Sequence, residues 1–441
     1  MAGNAHTSAQ PNVPGRGIVA SYTLRFWMLV VAIGLGAGVG GAALLELLRL
    51  VQHLAWNYHG GSSIEGETFL HAVESSSDAR RIAVLAIGGG VVGVGAVGLS
   101  RLGGGGEVSE SVWLRDGRLP LLGSIARAIE SIVVVGLGAS LGREAAPQQA
   151  GAAIAAALGE RSPIPGWQRR LLVACGAGAG MAAVYNVPLG GALFALEVLL
   201  GTLSLPFVLP ALATSALAVA VAWIVLPTHA VYSLPAYPVS ARLVVYALVI
   251  GPLAGIAAIA YVRLIARAGA IRPRPGAGAI AILAPLVTFT ALGALAIAYP
   301  QVLGNGRNIV QLALLGGVGA GLLAVLAALK PLATAACLGS GAPGGLFTPT
   351  LAFGVLLGGL LGEAWTQLWP GSPLGSYALV GGAAVLAAAM QGPIAALVLI
   401  VELTRQADSL MVPQLLAVVE ATVLARIVGV PSIYTARLSG A

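Results

Sequence analysis

The sequence predicts an all-α, polytopic membrane protein that is built from two related halves. Three observations carry this prediction. Of the 441 residues, 58% are hydrophobic and only 9% are charged, a balance that no soluble core of this size shows. Several apolar runs are close to the roughly 20 residues that a helix needs to cross a bilayer. Polar interruptions also recur at matching places along the chain, which indicates an internal repeat.

Six apolar runs mark candidate spanning helices. They cover residues 26–45, 82–99, 207–226, 243–261, 280–297 and 312–329. The apolar stretches between them are shorter and are broken by Gly and Pro, which predicts helices that stop inside the membrane. Such helix ends are tolerated only where the freed backbone is buried in protein or lines water.

The two ends of the chain are expected to add little to the membrane part. Residues 1–21 are polar and lack a helical period, so we predict a flexible cytoplasmic tail without a cleavable signal. The last apolar run ends near Val430, which predicts that no C-terminal regulatory domain follows.

The net charge is +7, and the placement of the basic residues indicates how the chain is oriented in the membrane and not a nucleic-acid partner. The basic residues form no patch with interleaved aromatic residues; they flank the apolar runs, as the positive-inside rule describes. They include Arg16, Arg25, Arg101, Arg115, Arg118, Arg426 and Arg437. We therefore expect a multi-pass protein of the cell (inner) membrane with both termini in the cytoplasm. The acidic loop at residues 59–78 is expected on the outer side.

A short polar stretch at residues 138–147, GASLGREAAP, lies between two apolar runs and contains Arg143 and Glu144. Charged side chains are costly in hydrocarbon, so both should face a cavity or a pathway and not lipid. This makes them the first candidates for a functional site.

A repeat relates this region to the second half of the chain. Residues 176–188 resemble residues 381–393, and a lone glutamate, Glu197 or Glu402, follows nine positions after the proline that ends each stretch. The two glutamates are 205 positions apart, as are the two prolines. Nearly the same offset places residues 142–144 opposite residues 344–349. The sequence thus predicts a broken helix at the corresponding place in each half, as in repeat-built transporters.

Two helices that begin inside the membrane can together bind an anion. Each helix start presents unsatisfied N–H groups and about half a positive charge, and two such ends facing each other bind an anion without a full cationic side chain. Glu144 can then occupy the site as a tethered competitor and leave it when protonated, which makes it a gate, a proton carrier or both. The alternative is an Arg143–Glu144 salt bridge that only caps a helix.

Three motifs resemble those of the CLC chloride channel and transporter family, most closely its bacterial ClcB-like branch. They are Gly142-Arg143-Glu144 followed by Pro147, GSGAPGGLFTP at residues 339–349, and YNVPLGG at residues 185–191. The resemblance covers residues 22–437 and implies a CLC-type fold of two inverted halves, at about 22–225 and 238–437, with many tilted and re-entrant helices. It also implies a homodimer in which each subunit has its own anion pathway.

By the same resemblance, Glu144 is the external gating glutamate. The amides of Leu346 and Phe347 become donors at a central anion site, those around Arg143 to Ala145 become donors at an outer one, and the Tyr434 hydroxyl contacts the central anion from the inside. Gly142, Gly345 and Thr348 complete this part of the anion-binding set.

The chain departs from the family pattern at the first anion motif. The family has glycine-serine-glycine followed by proline, whereas this chain has GGGGE at residues 103–107. Gly103 is the counterpart of the serine that helps to select chloride, and Gly104 follows it. Backbone amides can still bind an anion here, but the preference among chloride, bromide, nitrate and fluoride stays open.

A second departure concerns protons. Exchangers of the family commonly place an inner proton-accepting glutamate directly after the position of Glu197, and this chain has Val198 there. Exchange would then need water or another acid. Glu197 is the nearest candidate for that acid, but a role as a helix-end hydrogen-bond partner is favoured for it. Arg127 either adds a positive field near the pathway or pairs with Glu130 one turn on.

Enzymatic and metal-dependent functions fit the sequence poorly. Residues 138–142 match the G-x-S-x-G pattern of serine hydrolases, but the five histidines lie in the tail, in loops or near the ends of apolar runs, so Ser140 lacks a predicted base. The intramembrane acids are scattered singly, so neither a metal site nor a cofactor is predicted. Coupled anion/proton exchange, which Glu144 favours, is preferred over passive anion conduction, which Val198 favours.

Overall fold

A computed structural model describes residues 22–58, 68–102, 105–273, 278–405, 410–436 and 438. Within these ranges the chain is helical and contains no strand, which confirms the predicted fold class. The predicted tail at residues 1–21 and the glycines Gly103 and Gly104 lie outside the described residues.

Nine α-helices precede residue 225. They are α1 (Leu24–Trp56), α2 (Phe69–Glu74), α3 (Asp78–Arg101), α4 (Val108–Leu114), α5 (Leu121–Gly136), α6 (Ala145–Glu160), α7 (Gly166–Tyr185), α8 (Pro188–Leu193) and α9 (Leu205–Ala222). A π-helical turn at Phe194–Leu199 continues α8.

Eight α-helices follow in the described part of the second half. They are α10 (Ala241–Ala270), α11 (Ala279–Ala298), α12 (Arg307–Leu314), α13 (Ala320–Gly339), α14 (Phe347–Leu368), α15 (Leu374–Met390), α16 (Pro393–Thr404) and α17 (Met411–Ile427). A 3₁₀ turn at Pro300–Val302 precedes α12.

Seven helices in the described ranges are long and apolar enough to cross a membrane, which agrees with a multi-pass protein. Five of the six predicted runs fall on such helices. The sixth, residues 312–329, is wrong as a single span, because α12 ends at Leu314 and α13 begins at Ala320. Gly316 turns the chain between them with a φ of +74°, a conformation that glycine adopts without steric cost.

The internal repeat is visible in the helix ends. α7 and α15 both stop at a residue in the left-handed conformation, Asn186 and Gln391, each with a φ of 57°. Both are followed by a helix that begins with proline, α8 at Pro188 and α16 at Pro393, because proline suits the first helical turn. The short helices α8 and α16 therefore occupy equivalent places in the two halves.

Small residues bring the helices around the polar breaks into close contact. Gly151 of α6 and Gly176 of α7 pack so closely that a Cβ added at either would collide with the backbone of the other. Such contacts are typical of membrane helix pairs, and they pack α6, which begins directly after Glu144, against α7.

Candidate functional site

The two polar breaks meet in the structure. The N–H of Gly142 donates to the carbonyl of Gly345 (2.7 Å), and the N–H of Gly345 donates back to the carbonyl of Gly142 (2.8 Å). This antiparallel bridge lies just before the first residues of α6 and α14, Ala145 and Phe347. The two interrupted helices predicted from the sequence are present, and the stretches that lead into them lie side by side.

Glu144 lies between these helix starts and is fully buried. Its Oε1 accepts a hydrogen bond from the backbone N–H of Phe347 (2.7 Å). Its Oε2 accepts hydrogen bonds from the Tyr185 hydroxyl (3.1 Å) and from the Thr348 hydroxyl (3.2 Å). The Glu144 carboxylate, from the first half of the chain, thus binds donor groups at the start of α14 in the second half.

Arg143 does not make the salt bridge that the alternative interpretation requires. Although Glu144 is the N-cap residue of α6, its side chain makes no cap hydrogen bond to that helix. The guanidinium of Arg143 instead lies over the ring of Tyr185, 5.0 Å from the ring centroid, in a cation–π contact. Among the described residues no ion pair joins Arg143 to an acid.

Glycine is required on both sides of the carboxylate. A Cβ added at Gly142 or Gly345 would overlap the Glu144 carboxyl group. The bridge therefore leaves a space of about the size of a carboxylate, and Glu144 fills it.

A second set of polar contacts holds the chain that leads into Glu144. Thr334 Oγ1 donates to the carbonyl of Ser140 (2.9 Å), and the N–H of Gly304 donates to the carbonyl of Gly138 (2.9 Å). Lys330, one turn before Thr334 in α13, donates to the carbonyls of Val302 (2.9 Å) and Gly304 (2.7 Å).

Lys330 is a buried cation that the sequence-based predictions did not include. Its side chain is 1% exposed inside an apolar spanning helix. A lone cation in such a helix is itself a signal for a functional or structural role, but the predicted apolar run ends at residue 329, directly before Lys330.

Tyr434 packs edge-on against Phe194 of the π-helical turn, with ring centroids 5.2 Å apart. The N–H of the preceding Ile433 donates to the carbonyl of Ala389 at the end of α15 (2.8 Å). Tyr434 is not among the hydrogen-bond partners of Glu144, and its contact with an anion stays a prediction.

Arg127 lies beside the last part of the first anion motif, residues 105–107. Its Nη1 donates to the carbonyl of Gly105 (3.1 Å), and its Nη2 forms an ion pair with Glu107 (3.6 Å). Arg272 reaches the same Glu107 oxygen (3.6 Å). Arg127 is thus joined to an acid of this stretch, and its positive field near the pathway stays a prediction.

Glu197 makes the helix-end hydrogen bonds that the sequence analysis favoured. Its two oxygens accept from the N–H groups of Ile394 (3.3 Å) and Ala395 (2.6 Å) at the start of α16. Glu402 repeats this contact with Leu189 (3.1 Å) and Gly190 (2.6 Å) at the start of α8. Each half thus caps a short helix of the other, as an approximate two-fold relation between them requires.

Ser140 lacks the environment of a nucleophile. It is fully buried, and its Oγ has no hydrogen-bond partner among the described residues. A serine nucleophile needs a base within hydrogen-bond reach, so this geometry gives the protease alternative no support.

Comparison with known proteins identifies the family. A model of the "Voltage gated chloride channel" family matches residues 94–426. A putative chloride channel protein ClcB-like of Ralstonia nicotianae is 35% identical over 344 residues, which cover 76% of this chain and 79% of the relative. The voltage-gated ClC-type chloride channel ClcB of Citrobacter koseri is 30% identical over 421 residues, 93% of this chain and 98% of the relative.

Solved structures show the same fold at low sequence identity. A slow cyanobacterial Cl−/H+ antiporter superposes with a TM-score of 0.81 at 21% identity, covering 95% of this chain and 98% of that one. A CLC-type fluoride/proton antiporter superposes with a TM-score of 0.70, also at 21% identity, covering 93% and 97%. Because the family model matches most of the chain and the relatives align along most of their length, the chain belongs to the voltage gated chloride channel (CLC) family, in its bacterial ClcB-like branch.

Proposed function

We propose that the chain moves chloride or a similar small anion across the membrane as an anion/proton antiporter, with Glu144 as gate and proton carrier. The observation that carries the proposal is the position of the Glu144 carboxylate on the N–H of Phe347, between two interrupted helices. A carboxylate oxygen held by such donors occupies the place of a free anion.

The donors that hold Glu144 would serve the anion when the side chain leaves. Phe347 offers its N–H, and Thr348 and Tyr185 offer hydroxyls. Uncharged donors bind an anion without trapping it, which conduction requires. The anion-binding set predicted from the sequence includes Phe347 and Thr348 but not Tyr185, which the structure adds. Its other members are Gly103, Gly104, Gly142, Arg143, Ala145, Gly345, Leu346 and Tyr434.

Protonation supplies the coupling. A neutral Glu144 carboxyl loses most of its attraction for the donor groups, so an arriving anion displaces it. When the side chain swings out, it releases its proton and competes for the site again. The anion and the Glu144 carboxylate thus exclude each other from one place, so anion entry is linked to proton uptake by Glu144 and anion exit to proton release, and this linkage is the basis of exchange.

The similar proteins support both parts of the proposal, anion transport and coupling to protons. The ClcB relatives are named chloride channels, and two of the similar solved structures are described as a Cl−/H+ antiporter and a fluoride/proton antiporter.

Passive anion conduction is the second candidate. Val198 favours it, because this residue is apolar, 3% exposed and placed where exchangers of the family commonly have a proton-accepting acid. A proton would then have to reach Glu144 from the inside by water or through another acid.

The proposal extends to assembly and location. We infer a homodimer in the inner membrane with both termini in the cytoplasm, acting without an enzymatic reaction, a metal or a cofactor. Exposed apolar side chains on α17, such as Val419 (53% exposed) and Ile427 (76%), suit contact with lipid or with a second copy.

Purified protein in liposomes tests the proposal. Under crossed chloride and pH gradients, an exchanger pumps protons uphill when chloride runs downhill, whereas a channel moves chloride alone. Anion flux without proton movement would reject exchange and leave conduction. Absence of anion flux would reject both candidates.

A further inference from the structure

A cleft of about 940 Å³ lies between the loop that joins α4 to α5 and the end of α6. Ligand sites usually have volumes of roughly 300–1,000 Å³. Three arginines line the cleft, Arg115, Arg118 and Arg161, together with two acids, Asp116 and Glu160. None of these residues takes part in the contacts of the Glu144 carboxylate. The cleft is therefore a separate candidate for a ligand site.

Two of the three arginines lack an acidic partner. Arg115 forms an ion pair with Glu110 (2.7 Å). In the part of the chain that the structure describes, no carboxylate lies within ion-pair distance of Arg118 or Arg161. Arg161 donates from Nη1 to the carbonyl of Ala157 near the end of α6 (3.0 Å), which leaves its other N–H groups for another partner. Two positive side chains thus line the cleft without a counter-charge of their own.

The acids of the cleft offset only part of this charge. Asp116 forms an ion pair with Arg170, which lies near the start of α7 and outside the cleft (3.6 Å). Glu160 forms no ion pair within the described ranges. Once the paired groups are set aside, two guanidinium groups and one carboxylate remain, so the cleft has one excess positive charge. A ligand with one net negative charge balances it.

The two unpaired arginines favour a ligand that carries phosphate. A guanidinium group binds phosphate oxygens through paired N–H donors, which gives this contact both strength and a fixed geometry. The positive-inside rule explains why cations gather at one end of the helices. It does not require them to line a common cleft or to stay unpaired.

Apolar side chains at the cleft favour a lipid over a soluble phosphate compound. Leu114 lines the cleft and is 66% exposed. Leu121 also lines it, and the next residue, Leu122, is 72% exposed. Ile129 is exposed as well and lies seven positions further along α5, on the same face of the helix as Leu122. An exposed apolar strip thus runs from the cleft along α5, as an acyl chain requires.

The cleft lies on the side of the membrane where α1 begins. Asp116 pairs with Arg170, and Trp167 in the same part of α7 packs against the ring of Tyr22, with ring centroids 6.1 Å apart. Tyr22 comes directly before the N-cap residue of α1, Thr23. With the N-terminus in the cytoplasm, as proposed above, the cleft opens to the inner leaflet, whose surface is negatively charged.

We propose that this cleft binds the headgroup of an anionic phospholipid. Arg118 and Arg161 hold the phosphate, and an acyl chain lies along Leu114 and Leu122. The choice of leaflet rests on the orientation proposed above, whereas the binding itself does not depend on anion transport or on Glu144.

Native mass spectrometry of the purified protein in detergent tests the site. The ligands are phosphatidylglycerol, phosphatidylethanolamine with the same acyl chains, and glycerol phosphate, which has the headgroup phosphate without the chains. Phosphatidylglycerol should bind at least about fivefold more tightly than phosphatidylethanolamine, and glycerol phosphate should not displace it. Equal binding of the two lipids would overturn the choice of an anionic headgroup. Displacement by glycerol phosphate would identify a soluble phosphate compound as the ligand and reject the lipid.

Variants locate the binding in the cleft. Arg118→Gln should weaken the binding of phosphatidylglycerol about fivefold, the usual effect of one basic side chain at an anionic lipid surface. Arg118→Lys keeps the charge and should stay within about twofold of the wild type. Glu160→Gln removes the unpaired carboxylate and should tighten binding about two- to fivefold. Arg263→Gln, at an exposed position of α10 outside the cleft, is the matched control and should leave the affinity unchanged.

The opposite effects of Arg118→Gln and Glu160→Gln keep the test decisive. Both residues are exposed and form no ion pair among the described residues, so both variants should fold, and either one alone reports on the cleft. The same affinity in Arg118→Gln and Arg263→Gln, or no tightening in Glu160→Gln, would overturn the site. Wild-type protein that binds phosphatidylglycerol as expected but moves no anion would reject the proposed function and leave the lipid site standing.

Discussion

The carboxylate of Glu144 and the backbone N–H of Phe347 lie 2.7 Å apart, although the two residues are 203 positions apart in the chain. The contact joins the break of the first half to the helix start of the second. An acidic side chain bound to the start of a helix from another element is a removable occupant, because protonation weakens its hydrogen bonds while the N–H stays in place.

Glu144→Gln and Glu144→Ala should abolish proton movement and make anion flux independent of pH. In the wild type, flux should rise as the pH falls, because protonation of Glu144 frees the donors. Glutamine carries no charge at any pH, and alanine leaves the N–H of Phe347 unoccupied. Flux and proton uptake in liposomes across a pH series measure both effects. Proton pumping that persists in Glu144→Ala would contradict the role of this residue as the proton carrier.

Much of this site could be predicted because charge inside a membrane is informative. Arg143 and Glu144 stood out as a charged pair within apolar sequence, and the matching positions of Glu197 and Glu402 indicated the repeat. The reciprocal caps on α8 and α16 explain why that spacing is the same in both halves. Each glutamate must reach two backbone N–H groups at the start of the short helix in the other half.

Other features depend on contacts that no local pattern shows. The partners of Lys330 are carbonyls of a loop 26 and 28 residues away, and backbone acceptors leave no signature in a sequence. The break between Leu314 and Ala320 was missed because glycines and leucines continue the apolar run through the turn. Hydropathy alone does not distinguish a turn from a helix there.

Glu197→Gln and Glu402→Gln should each lower the free energy of unfolding by about 1–3 kcal/mol, because hydrogen bonds from two N–H groups to a charged oxygen pair are lost or weakened. The approximate two-fold relation predicts similar values for the two variants. Thermal or denaturant unfolding in detergent measures them, with the exposed Glu160→Gln as the control. A large loss for one variant and none for the other would contradict equivalent caps.

Lys330→Met should cost about 2–3 kcal/mol of stability, because the carbonyls of Val302 and Gly304 would be left buried without their donor. Since Gly304 in turn bonds Gly138, the variant should also loosen the loop before Glu144. Unfolding in detergent gives the stability, and hydrogen exchange of residues 138–143 reports the loop. The exposed Arg263→Met, on α10, is the control, and equal stability of the two variants would argue against an anchoring role.

Gly345→Ala should reduce anion flux at least about tenfold, because an added methyl group would overlap the Glu144 carboxyl group and the space that an anion would take over from it. The same clash pushes the carboxylate away from the N–H of Phe347, so the remaining flux should lose its pH dependence. Gly319→Ala is the matched control, since a Cβ at that position meets nothing within 4 Å. Both variants are compared with the wild type in liposomes after gel filtration confirms folded protein. If Gly345→Ala transports as well as Gly319→Ala does, the space that Glu144 fills is not on the path of the anion, because no anion can share that space with a methyl group.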